Sequence, residues 1–300
     1  MPKASTEALH PLARGIQSQI PSVVLERLLA CQVGAAAAVG EAAPEIEQAA
    51  RAVATALRNG RRVIYAGAGS SGLMALSDAL EMAGTFGIAA DRTPMLFAGG
   101  ADALLHMTGG SEDDEGLAAR DCQRAGIAAD DVVICTSSSG RTPYTLAIAR
   151  MSSDQGALVI GISNVPGSDL LDVAGVAVLL DTGSEMVAGS TRLGAGTAQK
   201  IALNMISTMA GVHLGHVHDG MMVNVVADNA KLRDRAARIV EQLAGTDAEQ
   251  ARTALDSAQG AVKAAVLIAA GARDAAEADE LLAESQGHIG PALSVLQAER

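Results

Sequence analysis

Residues 61–84 read RRVIYAGAGSSGLMALSDALEMAG, and this stretch decides the fold. The apolar run Val63 to Ala66 is short and ends in a Gly/Ser turn from Gly67 to Gly72. Apolar residues then recur at helical spacing. Strand, phosphate-type loop and helix, in that order, form a building unit of a parallel α/β sheet. Gly67, Gly69 and Gly72 also match the dinucleotide-binding spacing. That reading calls for a carboxylate at the end of a second strand about twenty residues on, whereas Asp91 stands in GIAADRTPM, away from any predicted strand end.

The unit recurs at Asp130–Met151, DDVVICTSSSGRTPYTLAIARM, where Ser137-Ser138-Ser139-Gly140-Arg141-Thr142 offers four hydroxyls between strand and helix. ALVIGISN at 157–164 adds a strand, and Val176 to Leu180 another. A glycine-rich stretch at 183–196 follows, then a helical pattern from Thr197 to about Leu214. Two hydroxyl-rich strand-to-helix turns suit a phosphosugar better than a dinucleotide, which needs one glycine loop and a ribose carboxylate. Gly69, Ser70, Ser71, Ser137, Ser138, Ser139 and Thr142 are therefore the candidate phosphate ligands. The alternative for each hydroxyl, strongest at Ser137, is that it only caps a helix.

The flanks are helical. Residues 22–58 predict two Ala-rich helices broken near Gly40 to Pro44. Beyond residue 244, LDSAQGAVKAAVL at 255–267 resembles LAESQGHIGPALSVL at 282–296, a repeat offset by 27 residues. The expected organisation is a helical lead-in at 1–58, a phosphosugar domain at 59–240 and a small helical, UBA-like module at 244–300. The fold class is α/β: a doubly wound parallel sheet flanked by helices, with the lead-in before it and the all-α module after it.

With 49% hydrophobic residues but two Tyr, two Phe and no Trp, the core must be aliphatic. A net charge of −12 argues against nucleic-acid partners, and any anionic ligand must be held by local amides and hydroxyls. Cys31, Cys122 and Cys135 lack disulfide or metal-ligand spacing. His213, His216 and His218 cluster without an accompanying carboxylate motif, so no metal is expected. There is no signal-type segment and no uninterrupted apolar run of about 18 residues, which predicts a cytoplasmic protein with no membrane partner.

SDALEMAGTFG (77–87), GGSEDDE (109–115), SSSGRTPYTLAIA (137–149), GSEMVAGSTRLGAGTAQKIALNMIST (183–208) and DNAKLRDRAARIV (228–240) resemble signature segments of the N-acetylmuramic acid 6-phosphate etherases of the sugar isomerase (SIS) domain superfamily. The resemblance runs from about Thr6 to the C-terminal module. It implies a lyase that removes D-lactate from C3 of the sugar by elimination and water addition, without metal or organic cofactor, and a homodimer.

The resemblance also implies Glu81 as the acid assisting the leaving lactate and Glu112 as the base at C2, opposite protonation roles for two carboxylates. The apolar neighbours Ala79, Leu80, Met82 and Ala83 are expected to desolvate Glu81. Ser190, Thr191, Arg192 and Lys200 are expected to complete the pocket around a doubly anionic substrate. The chain departs from the family pattern at Met82-Ala83-Gly84, where Cys-Pro-Pro is usual, at Gly194, where lysine is usual, and between Pro11 and Pro21. Two other readings share these motifs: a non-catalytic phosphosugar-binding regulator, which would not need both glutamates, and an isomerase or lyase acting on another sugar phosphate.

Overall fold

A computed structural model describes residues 5–107, 109–227 and 229–298. The outermost residues of the lead-in and of the tail module, and Asp228 of the DNAKLRDRA segment, lie outside the described residues. Packing divides the chain into two units, residues 1–79 with 91–207 and residues 80–90 with 208–300. These cuts differ from the boundaries read from composition.

The first unit opens with helices α1 (Pro21–Ala38) and α2 (Ala43–Arg58), separated by a 3-10 turn at Val39–Ala42. Pro44 sits in the first turn of α2, where its missing N–H costs nothing. α2 buries Ile46, Ala49, Ala50, Val53 and Ala54 at helical spacing, whereas α1 buries only Ala35. The joined stretch Pro21–Arg58 contains an 18-residue window of mean hydropathy 1.5, long and apolar enough by composition alone to cross a bilayer.

There follow β1 (Val63–Gly67), α3 (Gly69–Phe86), β2 (Met95–Phe97), α4 (Gly100–Leu105), α5 (Glu115–Ala125), β3 (Val132–Thr136), α6 (Pro143–Asp154), β4 (Leu158–Ser163), α7 (Asp169–Val173), β5 (Val176–Leu179) and α8 (Gly194–His213), the ends of α3 from Leu80 and of α8 from Thr208 belonging to the second unit. The five strands are parallel, in the order β2-β1-β3-β4-β5. β2, an edge strand, was not read in the sequence: three residues between a 3-10 turn and a glycine pair are too few for a periodic signal. The strand at 157–164 was read without a helix directly behind it, and the five-residue α7 that follows it was missed, being too short to show a helical period.

β1 and β3 are buried along their whole length, as strands covered by helices on both faces must be. The core is aliphatic, with Ile64, Ile134, Ile160, Ile162, Leu180 and Leu203 fully buried, and the thiols of Cys122 and Cys135 pack inside it. Its main polar element is Asp78, whose carboxylate accepts hydrogen bonds from Tyr65 (2.9 Å), Asn204 (2.8 Å) and Ser207 (2.8 Å), tying β1, α3 and α8 together. A buried carboxylate is tolerable only when satisfied in this way.

The second unit holds a short antiparallel pair, β6 (Val217–His218) with β7 (Met221–Met222), then α9 (Ala230–Ala244), α10 (Ala248–Ser257), α11 (Val262–Ala270), α12 (Ala275–Glu284) and α13 (Ile289–Ala298). Val223, Val240, Ala251, Val266, Leu267 and Ile289 centre its own core. The sequence repeat is also a backbone repeat. Gln259 and Gln286 both have φ of 52°, and the glycines after them, Gly260 and Gly287, have φ of 84° and 80°. Lys263 of the first copy donates to the Gly287 carbonyl of the second (2.8 Å), joining the two copies.

Candidate active site

The sheet order reverses between β1 and β3, and in such sheets ligands bind in the crevice beyond the strands' carboxyl ends at that point. In register, Gly67 lies opposite Thr136, so the Gly67–Gly72 and Ser137–Thr142 loops leave the sheet side by side. Gly67 and Gly72 allow strand and helix to approach: a Cβ on Gly67 would come within 2.9 Å of the Gly72 Cα.

The two loops are joined directly. Ser71 Oγ lies 3.0 Å from Ser138 Oγ and accepts the Ser138 backbone N–H (3.2 Å). Ser137 Oγ accepts the Gly140 N–H (3.1 Å) and bonds Thr142 Oγ1 (2.8 Å), while Ser139 Oγ accepts the Arg141 N–H (3.2 Å). Ser71, Ser137 and Ser138 are buried; Ser70, Ser139 and Thr142 are half-buried. Ser137 thus spends its hydroxyl within its own loop.

Glu112 sits on a 3-10 turn, Gly109–Asp113, half-buried. A Cβ built on Gly69, whose φ is +54°, would lie 2.7 Å from Glu112 Oε1. The carboxylate therefore rests against the amide end of α3. Burial, and then the neighbouring Asp113, raise its pKa above the ordinary glutamate value.

Glu81 stands on α3, in the stretch from Leu80 that belongs to the second unit. Glu81 is exposed, and Leu80 is 71% exposed. The desolvation expected from its apolar neighbours is thus not supplied: the helical period turns Ala79 and Met82 inward and leaves positions 80 and 81 outside.

Ser190 and Thr191 are half-buried in the loop before α8, and Arg192 is exposed at the end of that triplet. Lys200 is exposed on α8. Neither Arg192 nor Lys200 forms an ion pair among the described residues.

A sequence profile of the SIS domain matches residues 34–164. N-acetylmuramic acid 6-phosphate etherases are close relatives: that of Deinococcus radiodurans is 43% identical over 94% of this chain and 93% of its own length, and that of Streptomyces avermitilis is 40% identical over 97% and 93%. The chain belongs to the N-acetylmuramic acid 6-phosphate etherase family. Among solved structures, a phosphoheptose isomerase from Francisella tularensis is similar over 63% of this chain and 98% of its own, with a TM-score of 0.46 and 20% identity.

Three further buried residues near the site were not singled out in the sequence. Glu185, 3% exposed, accepts the backbone N–H groups of Gly194 (2.9 Å) and Ala195 (2.8 Å) and so caps α8. Gln199 and Asn164, both fully buried, bond to each other (2.9 Å), and Gln199 bonds Ser138 Oγ (3.0 Å).

Proposed function

We infer that this chain is a carbon–oxygen lyase that cleaves the D-lactyl ether at C3 of N-acetylmuramic acid 6-phosphate, releasing D-lactate and N-acetylglucosamine 6-phosphate. The observation that carries this reading is its identity to etherases along almost the whole chain. Ser70, Ser71, Ser138, Ser139 and Thr142, with loop amides, bind the phosphate, and Ser137 shapes their loop. Arg192 and Lys200, near Ser190 and Thr191, offset the substrate's two negative charges in an acidic protein. We take residues 59–240 to carry this chemistry and 244–300 to form a supporting module.

In the open-chain sugar the C1 aldehyde acidifies the C2 proton. Glu112 removes that proton, the C3–O bond breaks, and Glu81 protonates the departing lactate oxygen. Water then adds at C3 of the unsaturated aldehyde while C2 regains a proton. Each step moves a proton or a water, so the balance calls for no redox equivalent.

The enzyme works as a homodimer in which the carboxylates facing one substrate come from two copies. The apolar stripe of Leu25, Leu29 and Val33 along α1, each at least 60% exposed, supports this. A phosphorylated substrate, which its charge retains inside the cell, fits a cytoplasmic enzyme.

The test is a proton NMR time course of N-acetylmuramic acid 6-phosphate in deuterated water. Lactate release with deuterium entering C2, both lost in Glu112→Gln, is the expected result. Neither release nor exchange with the native chain sinks the reading in favour of a phosphosugar-binding regulator.

A further inference from the structure

Behind the two serine loops lies a buried amide chain whose hydrogen bonds can run in only one direction. It begins at the Leu180 carbonyl, just after β5, which accepts from Asn164 Nδ2 at 3.0 Å. A carbonyl cannot donate, so the Asn164 amide must present its nitrogen to Leu180 and its oxygen to the other side. There Asn164 Oδ1 meets Gln199 Nε2 at 2.9 Å. An oxygen at that position would face another oxygen, so the Gln199 amide is oriented as well. The same nitrogen donates to Ser138 Oγ at 3.0 Å.

Gln199 Oε1 is left buried without a partner, the one side-chain amide atom so left among the described residues. Turning the amide over would bring that oxygen to the serine, at the expense of setting it against Asn164 Oδ1. The orphaned acceptor is thus a second, independent sign that the donor direction is held against a competing demand.

The consequence falls on the hydroxyls. Ser138 Oγ receives a proton from Gln199, and Ser71 Oγ receives one from the Ser138 backbone N–H. The two hydroxyls are 3.0 Å apart and carry two protons of their own. One proton bridges them, and the other has no protein acceptor among the described residues. A hydroxyl pair with one unspent proton at the crevice is a donor, which suits the oxygens of a phosphate.

We propose that Gln199 and Asn164 are positioning residues which, referenced to the Leu180 carbonyl, orient the Ser71–Ser138 hydroxyl pair so that it donates one hydrogen bond to the phosphate of the substrate. This rests on the serine loops being the phosphate site. Gln199→Met keeps the length and apolar volume of the side chain but removes the donor, freeing Ser138 to turn its proton elsewhere. Asn164→Leu removes the reference and lets the Gln199 oxygen turn to Ser138.

The readouts are KM and kcat for N-acetylmuramic acid 6-phosphate, the dissociation constant of N-acetylglucosamine 6-phosphate by calorimetry, and the competition constant of inorganic phosphate. The expected result for Gln199→Met is a rise in all three binding constants of about ten- to a hundredfold, the worth of one hydrogen bond to a charged group, with kcat little changed. Asn164→Leu should move them in the same direction by less. It decides the matter alone if the methionine variant does not fold. Unchanged phosphate affinity in a folded variant, or a fall in kcat at constant KM, overturns the proposal. A native chain that binds inorganic phosphate but does not turn over the sugar leaves the network open to the same competition test and indicts the assigned reaction instead.

Discussion

At the scale of single residues, the environment of Glu112 makes a prediction about pH. The amide end of α3 favours the charged carboxylate, but burial first and Asp113 second favour the neutral form, and the net shift is upward. A base works when deprotonated, so kcat/KM should rise with pH through an acidic limb set above the ordinary glutamate value. In Asp113→Asn the smaller cause disappears and the limb should move to lower pH, toward but not reaching that of a solvated glutamate. A pH–rate profile of the two proteins checks this, and a limb that does not move would mean that Glu112 is not the group titrating.

At the scale of elements, two devices hold helices whose sequences do not hold themselves. α8 has no Ser, Thr, Asp or Asn cap of its own adjacent to Gly194, and Glu185 reaches in from nine residues away to accept its first two N–H groups. In Glu185→Ala both donors are orphaned in a buried place, and we expect a loss of about 2 kcal/mol or more by urea unfolding. In the tail module, burial pushes Lys263 down to about 8 from the ordinary 10.5. The unfolded chain therefore binds more protons than the folded one between those values, so stability contributed by this group rises with pH across that window. Thermal unfolding of the native chain should show that rise, and Lys263→Met should flatten it. The half-buried His216, pushed down to about 4 by desolvation and then by Lys263, is neutral throughout that range and does not confuse the reading.

At the scale of the whole molecule, the proposed composite site can be tested without any structure of the dimer. Glu81→Gln and Glu112→Gln should each be inactive as homodimers. If one substrate faces Glu81 of one copy and Glu112 of the other, a mixed dimer has one intact site and one carrying both lesions. Random exchange of subunits should then restore about a quarter of native activity, since half of the dimers are mixed and half of their sites are sound. If both carboxylates come from one chain, every site carries a lesion and mixing restores nothing.

Local order was legible in the sequence wherever the signal is periodic or punctuated. The strand–loop–helix units at 61–84 and 130–151, the break between α1 and α2, and the 27-residue repeat all follow from nearest-neighbour chemistry: apolar period, glycine freedom and helix capping. The serine loops were legible for the same reason, since a hydroxyl-rich turn between strand and helix has few uses. The edge strand β2 was not, because its three residues make a strand only by pairing with β1. Nor was the exposure of Glu81, which depends on which face of α3 turns inward. Only the tertiary structure set the Glu112 carboxylate against Gly69, or joined Ser138 to Gln199 and Asn164 from elements up to 61 residues apart. Contacts of that kind are fixed by strand order and register, which long-range packing decides and no local window of sequence contains.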